Sequence, residues 1–110
     1  MTHVSYSDFD KVDIRVGRII SADDFPEAKK PAYKLRIDLG DLGVKSSSMQ
    51  ITHYDKKDLI GRLILCVVNF PEKQIGNFMS QVLTLGVPDD QGKWTLIQPD
   101  KDVPLGGQLR

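Results

Sequence analysis

The chain has 110 residues, of which 40% are hydrophobic and 27% charged, with 15 basic and 15 acidic side chains and a pI near 6.7. That length supports one domain around one core, and zero net charge excludes a global cationic field as the means of holding nucleic acid; such contact would need a local basic patch. A lone cysteine, Cys66, excludes an internal disulfide, and no apolar run approaches the ~18 residues of a membrane span, so the expected setting is the cytoplasm, without membrane insertion.

In chain order, residues 1–10 read as a polar arm that docks through Tyr6 and Phe9. Val12 to Ile20 alternates apolar and polar as far as Val16, the pattern of a strand with one buried face. Gly17 interrupts it and predicts a bulge or sharp bend. Asp23 to Pro31 is a loop with two prolines and a Lys29-Lys30 pair. Tyr33 to Leu39 predicts a second strand, with Leu35, Ile37 and Leu39 on one face and Lys34, Arg36 and Asp38 on the other. After a turn at Gly40 to Gly43, Val44 to Ile51 is a third strand by position. Its three consecutive serines suggest a face that meets a polar group or lies close to another backbone. Asp55 to Gly61 reads as a short helix, with Asp55 at its N-cap and Gly61 as its stop.

Leu63 to Val68 is an unbroken apolar run, the mark of a strand covered on both faces. Cys66 lies inside it and reads as a small core residue. Ser80 to Leu85 is the next strand. The connection from Asn69 to Met79 holds Pro71 and Gly76 as a loop does, yet it also carries Phe70, Ile75, Phe78 and Met79. So apolar a loop either packs on the domain or walls a binding surface. Asp89 to Gly92 is a hairpin turn, and Trp94 to Ile97 a short sixth strand. Three strands, a short helix between strands 3 and 4, then two more strands is the order of an all-β, five-stranded OB-type barrel, with extra terminal strands outside it. The expected division is an arm over 1–10, a barrel over 11–88 and a C-terminal extension over 89–110.

At this point the residues resemble a known family. Asp13-Ile14-Arg15-Val16-Gly17-Arg18-Ile19 is similar to the opening of the tRNA-binding OB domain, which is appended to some methionyl-tRNA synthetases and also occurs as free dimers. The likeness continues through Phe25-Pro26, Lys34-Leu35, Asp38-Leu39-Gly40, Leu59-Ile60-Gly61 and Val67-Val68-Asn69 to Ser80-Gln81-Val82-Leu83. Within that family the chain looks most like the CsaA branch of small export-related chaperones. Phe25-Pro26-Glu27-Ala28, Gln50-Ile51-Thr52, Val68-Asn69-Phe70-Pro71 and Gln98-Pro99-Asp100 carry that likeness. The resemblance implies an OB barrel, a homodimer, and binding of unfolded or precursor polypeptides, with tRNA binding as the alternative.

A surface that accepts many polypeptides needs adaptable apolar side chains beside groups that can bond a peptide backbone. Phe70, Ile75, Phe78, Met79 and Leu83 are candidates for the first role, and Ser46, Ser48, Gln50, Asn69 and Ser80 for the second. For RNA, aromatic rings to stack bases and cations to meet phosphate point to Tyr33, Lys34, Arg36, Lys45, Lys73, Phe78 and Ser80. Apolar residues in the end segments (Val4, Tyr6, Phe9, Trp94, Leu96, Ile97, Leu105 and Leu109) exceed the needs of one barrel, and pairing about a two-fold axis would cover them. Catalysis is not expected. His3 and His53 lack ligand-like spacing, the serines sit in no nucleophile elbow, and no glycine-rich phosphate cradle is present, so neither metal nor cofactor is implied.

Overall fold

A computed structural model describes all residues, Met1–Arg110. Strands β1 (Ile14–Asp24), β2 (Tyr33–Asp38), β3 (Val44–Met49), β4 (Leu63–Val67) and β7 (Leu83–Thr84) form one antiparallel sheet in the order β3-β2-β1-β4-β7. The sheet curls until β3 and the chain leading into β7 meet, giving a nearly closed five-stranded barrel of the expected OB type. Two small hairpins stand beside it, β5 (Lys73–Ile75) with β6 (Phe78–Ser80) and β8 (Gly86–Pro88) with β9 (Trp94–Leu96).

The alternation in β2 is realised: Leu35 and Ile37 are fully buried, and Arg36 is exposed. Burial of every residue in β4 has a two-sided cause. Ile64 and Cys66 face the barrel interior, whereas Leu63 and Leu65 join Val16 in a second apolar cluster under Ile97, Val103 and Leu105 from the C-terminal tail. The tail is tied to the first half of β1. Val16 N–H donates to the Gly107 carbonyl at 3.0 Å and Gly106 N–H to the Val16 carbonyl at 2.8 Å, while Leu109 N–H donates to Ile14 at 2.8 Å. That half of β1 therefore has a backbone partner on each side.

Several local expectations are revised. The bulge in β1 lies between Ile19 and Ser21, not at Gly17. Gly17 instead gives room: a Cβ there would sit 2.5 Å from Ile37 Cγ2 and 2.8 Å from Leu39 Cδ2. Asp55 occupies the N-cap of α2 (Lys56–Leu59), but its side chain caps nothing; Gly61, at φ 87°, is the stop. The segment read as a loop over 69–79 contains the β5–β6 hairpin, turned by Gly76 at φ 59°. The segment read as one strand over 80–85 is divided. Ser80 pairs with Lys73 in that hairpin, whereas Leu83 pairs with Val67 in the barrel. The polar arm holds a helix, α1 (Tyr6–Asp10), whose residues are all exposed; Tyr6 and Phe9 touch each other edge-on rather than docking on the barrel.

Candidate binding groove

The barrel has a seam between its first and last sheet positions. At one end it is shut: Ser46 C=O accepts from Gln81 N–H at 2.8 Å and Val82 N–H at 3.2 Å, and Ser46 N–H donates to Gln81 Oε1 at 3.0 Å. Beyond Ser46, β3 pairs only with β2 and β7 only with β4. A groove of about 870 Å³ opens there. Buried Phe25, Met49 and Thr84 lie at its base, and Ile75, Leu83, Leu85 and Trp94 supply further apolar surface. Ser48 and Gln50 come from β3 and the residue after it. Lys29 and Lys30 approach from the β1–β2 loop, and Lys73 from β5.

The serine run is explained by this seam. Ser46 closes the shut end with its backbone. Ser47 is fully buried and accepts from Thr84 Oγ1 at 2.9 Å, and Cys66 Sγ lies 3.7 Å from the same hydroxyl. Ser48 reaches the groove. Burial pushes the Cys66 thiol up to about 12, and its hydrogen bond with Thr84 lowers it only in part. The thiol is therefore an inert core group.

The sequence-derived residues fall into distinct places. Ile75, Leu83, Ser48, Gln50 and Lys73 share the groove. Phe78 is half-buried with its ring 5.2 Å from Phe25 at 62°, while Met79 on the same strand is exposed. Ser80 is half-buried opposite Lys73. Phe70, Asn69 and Lys45 lie apart, around a smaller cavity of about 340 Å³. Asn69 is already engaged there: its Oδ1 accepts from Asp13 N–H at 3.0 Å and its Nδ2 donates to Lys11 C=O at 2.7 Å. It fastens the chain leading into β1. Tyr33 does not offer a stacking face. It is buried, and its hydroxyl donates to the Tyr54 carbonyl at 2.8 Å. Tyr33 shares the inward parity of Leu35 and Ile37, which places it inside. Lys34 and Arg36 take the outward parity beside Ser48 and Ser46, with Lys34 Nζ 5.6 Å above the Phe25 ring.

Leu85, Trp94, Lys29 and Lys30 were missed as site residues. The lysine pair in a proline-flanked loop was the available signal. Nothing local marked Trp94, whose position depends on the β8–β9 hairpin folding back. That hairpin is held by His53 Nε2, 2.9 Å from the Trp94 carbonyl, and by Leu96 N–H donating to the Tyr54 hydroxyl at 3.2 Å. At its turn, Asp89 accepts from the backbone N–H groups of Lys93 and Gln91, each at 2.9 Å, which hold its carboxyl below the usual range. No group of three or more His, Cys, Asp or Glu side chains is arranged to ligate a metal, and no helix is long and apolar enough to cross a membrane.

Residues 14–108 match the family model described as a putative tRNA binding domain. The methionine–tRNA ligase of Methanocaldococcus jannaschii is 32% identical over 110 residues, spanning 100% of this chain and 17% of the ligase. That of Nanoarchaeum equitans is 36% identical over 107 residues, 97% of this chain and 14% of the ligase. The chain thus spans a small fraction of these relatives. Among solved structures, a CsaA chaperone protein from Picrophilus torridus is 50% identical with a TM-score of 0.92, covering 98% of this chain and 100% of that one. Chaperone CsaA from Bacillus anthracis is 44% identical, with a TM-score of 0.91 and coverage of 99% and 100%. A MetRS-related protein from Pyrococcus horikoshii is 25% identical, with a TM-score of 0.87 and 100% of each chain covered.

Proposed function

The chain belongs to the tRNA-binding-domain family, and we propose that it is a CsaA-like, export-related chaperone that binds unfolded or precursor polypeptides as a cytoplasmic homodimer and catalyses no reaction. The observation that carries this reading is the groove at the barrel seam, which sets exposed Leu83 and Trp94 beside the polar groups of Ser48 and Gln50. Loose recognition of many sequences needs that mixture. Leu83 is 47% exposed, so its replacement tests binding with little effect on folding. Leu83→Asp is expected to weaken capture of a labelled unfolded polypeptide about fivefold or more, with stability lowered by no more than about 1–2 kcal/mol. Undiminished capture by this variant overturns the assignment of the groove. Phe78→Ala is a poorer probe, because it also removes the Phe25 contact.

Homodimer formation is supported by Val4, Tyr6, Phe9 and Leu109, which remain exposed, whereas Leu96 is buried and Ile97 and Leu105 pack on their own barrel. We assign the arm over 1–10 and the extension over 89–110 to that contact, with 11–88 as the barrel. A second reading, tRNA binding, is favoured by the family and by Lys34 and Arg36 on the outward face of β2. Gel-shift titration tests it: the affinity should fall steeply with added salt, and absence of binding even at low salt removes it.

A further inference from the structure

We infer that the open part of the β3–β7 seam receives an extended polypeptide segment as an added strand, and that it prefers a segment carrying acidic side chains beside its apolar ones. The inference rests on the polypeptide-binding reading above and goes further, to the conformation and charge of what is bound.

The backbone argument comes from strand parity. Ser46 turns its N–H and C=O away from β2, toward Gln81 and Val82. A strand alternates, so Ser48, two residues on and opposite Lys34 in register, turns its own N–H and C=O the same way. There β3 has no further strand partner, and the bond that crosses to β7 is between side chains, Thr84 Oγ1 to Ser47 Oγ at 2.9 Å. On the far side, Leu85 N–H donates to the Leu65 carbonyl at 2.9 Å. That places Leu83 and Leu85 in bonding register with β4 and points the backbone of Thr84 away from β4, into the same gap. Two strand edges thus face one apolar-lined groove. An extended peptide gives such an edge backbone hydrogen bonds, while its alternate side chains enter the pockets between.

The charge argument comes from the rim. Four charged residues line the groove: Lys29, Lys30, Lys73 and Glu27. None of the three lysines has a carboxylate partner; the ion pairs of the chain are Lys11–Asp8, Arg15–Asp13 and Lys56–Asp24. A chain of zero net charge therefore presents a cationic rim at this one groove. Carboxylates on the bound segment complement it and would speed its capture. Single-stranded RNA fits less well. It needs several open rings on which successive bases stack, and here the Phe25 ring is covered by Phe78, which leaves Trp94 as the one exposed ring among the lining residues.

The experiment uses the intact protein and labelled ten-residue peptides in which leucine alternates with glutamate, glutamine or lysine, followed by fluorescence anisotropy. The glutamate peptide is expected to bind about threefold to tenfold more tightly than the glutamine peptide. The lysine peptide should be weakest. The glutamate advantage should shrink in Lys29→Gln/Lys30→Gln, whose positions are exposed in a loop, and with added salt. N-methylation of alternate backbone nitrogens, applied to one set of positions or the other, should cost at least about tenfold for one of the two sets. Equal affinity for the three peptides together with tolerance of both methylated forms overturns the inference and leaves the binding reading standing. Failure of every peptide to bind removes that reading too. tRNA binding lost in Leu83→Asp, with no peptide bound by the parent protein, gives the groove to nucleic acid and overturns both.

Discussion

Gly17 shows how much a single missing Cβ can matter. The alternating pattern places position 17 on β1 but says nothing of how near the facing strand comes, so the sequence suggests a bend where the structure has a close approach. Gly17→Ala would push a methyl group into Ile37 and Leu39. It should lower stability by about 1–3 kcal/mol, read as a shifted urea midpoint; an unshifted midpoint would show that the barrel yields there. Cys66 was legible from its apolar neighbours, but its link to Thr84 was not, since those residues meet only when β4 and β7 pair. Its thiol titrates near 9.0 when ordinary and about 12 when buried. Between those values the unfolded chain releases a proton that the folded chain keeps. The contribution is therefore fully present below about pH 9 and is lost as pH rises toward 12, at ~1.4 kcal/mol per pH unit. Measured from pH 8.5 to 10.5, the stability of the parent protein should fall more steeply than that of Cys66→Ala. The same burial should leave the native thiol unlabelled by thiol reagents at pH 8.

Among the elements, α1 stands least securely. Its five residues are capped by Ser5, whose Oγ accepts from Asp8 N–H at 3.0 Å, and none is buried. So short a helix does not persist alone, and a covering surface would stabilise it. Amides from Asp8 to Lys11 should exchange with almost no protection in dilute, monomeric protein and become protected at concentrations where sedimentation shows dimer. Exchange that ignores concentration would separate α1 from the dimer contact. The long strands were legible, because β1, β2 and β4 each carry enough residues for an alternating or unbroken apolar pattern to repeat. The β5–β6 hairpin was not, since three residues a side are too few for a period and Pro71 and Gly76 give the signature of a loop. The span from Ser80 to Leu85 reads as a continuous strand although the chain changes partners at Gln81 and Val82. Both residues turn to bond Ser46, a contact 35 residues distant for Gln81. Half of the groove was hidden for the same reason: its apolar side chains were legible, whereas Lys29, Lys30 and Trp94 join them only through tertiary folding.

For the molecule as a whole, uniform composition conceals uneven distribution. Equal numbers of acidic and basic residues give no field overall, yet three lysines without carboxylate partners gather at the seam groove. The outward face of β2 adjoins that groove at Ser48, opposite Lys34. A bound polypeptide and an RNA would therefore crowd one another even if each kept its own surface. The ribbon of residues 106–109 along β1 has a different bearing on survival in solution. Shortening the protein by its last five residues would unclasp Ile14 and Val16 and leave their peptide groups bare beside the oily patch of Val16, Leu63 and Leu65. A shelf of that kind invites stacking by its own copies, so the clipped protein should turn cloudy on gentle warming while the parent stays clear.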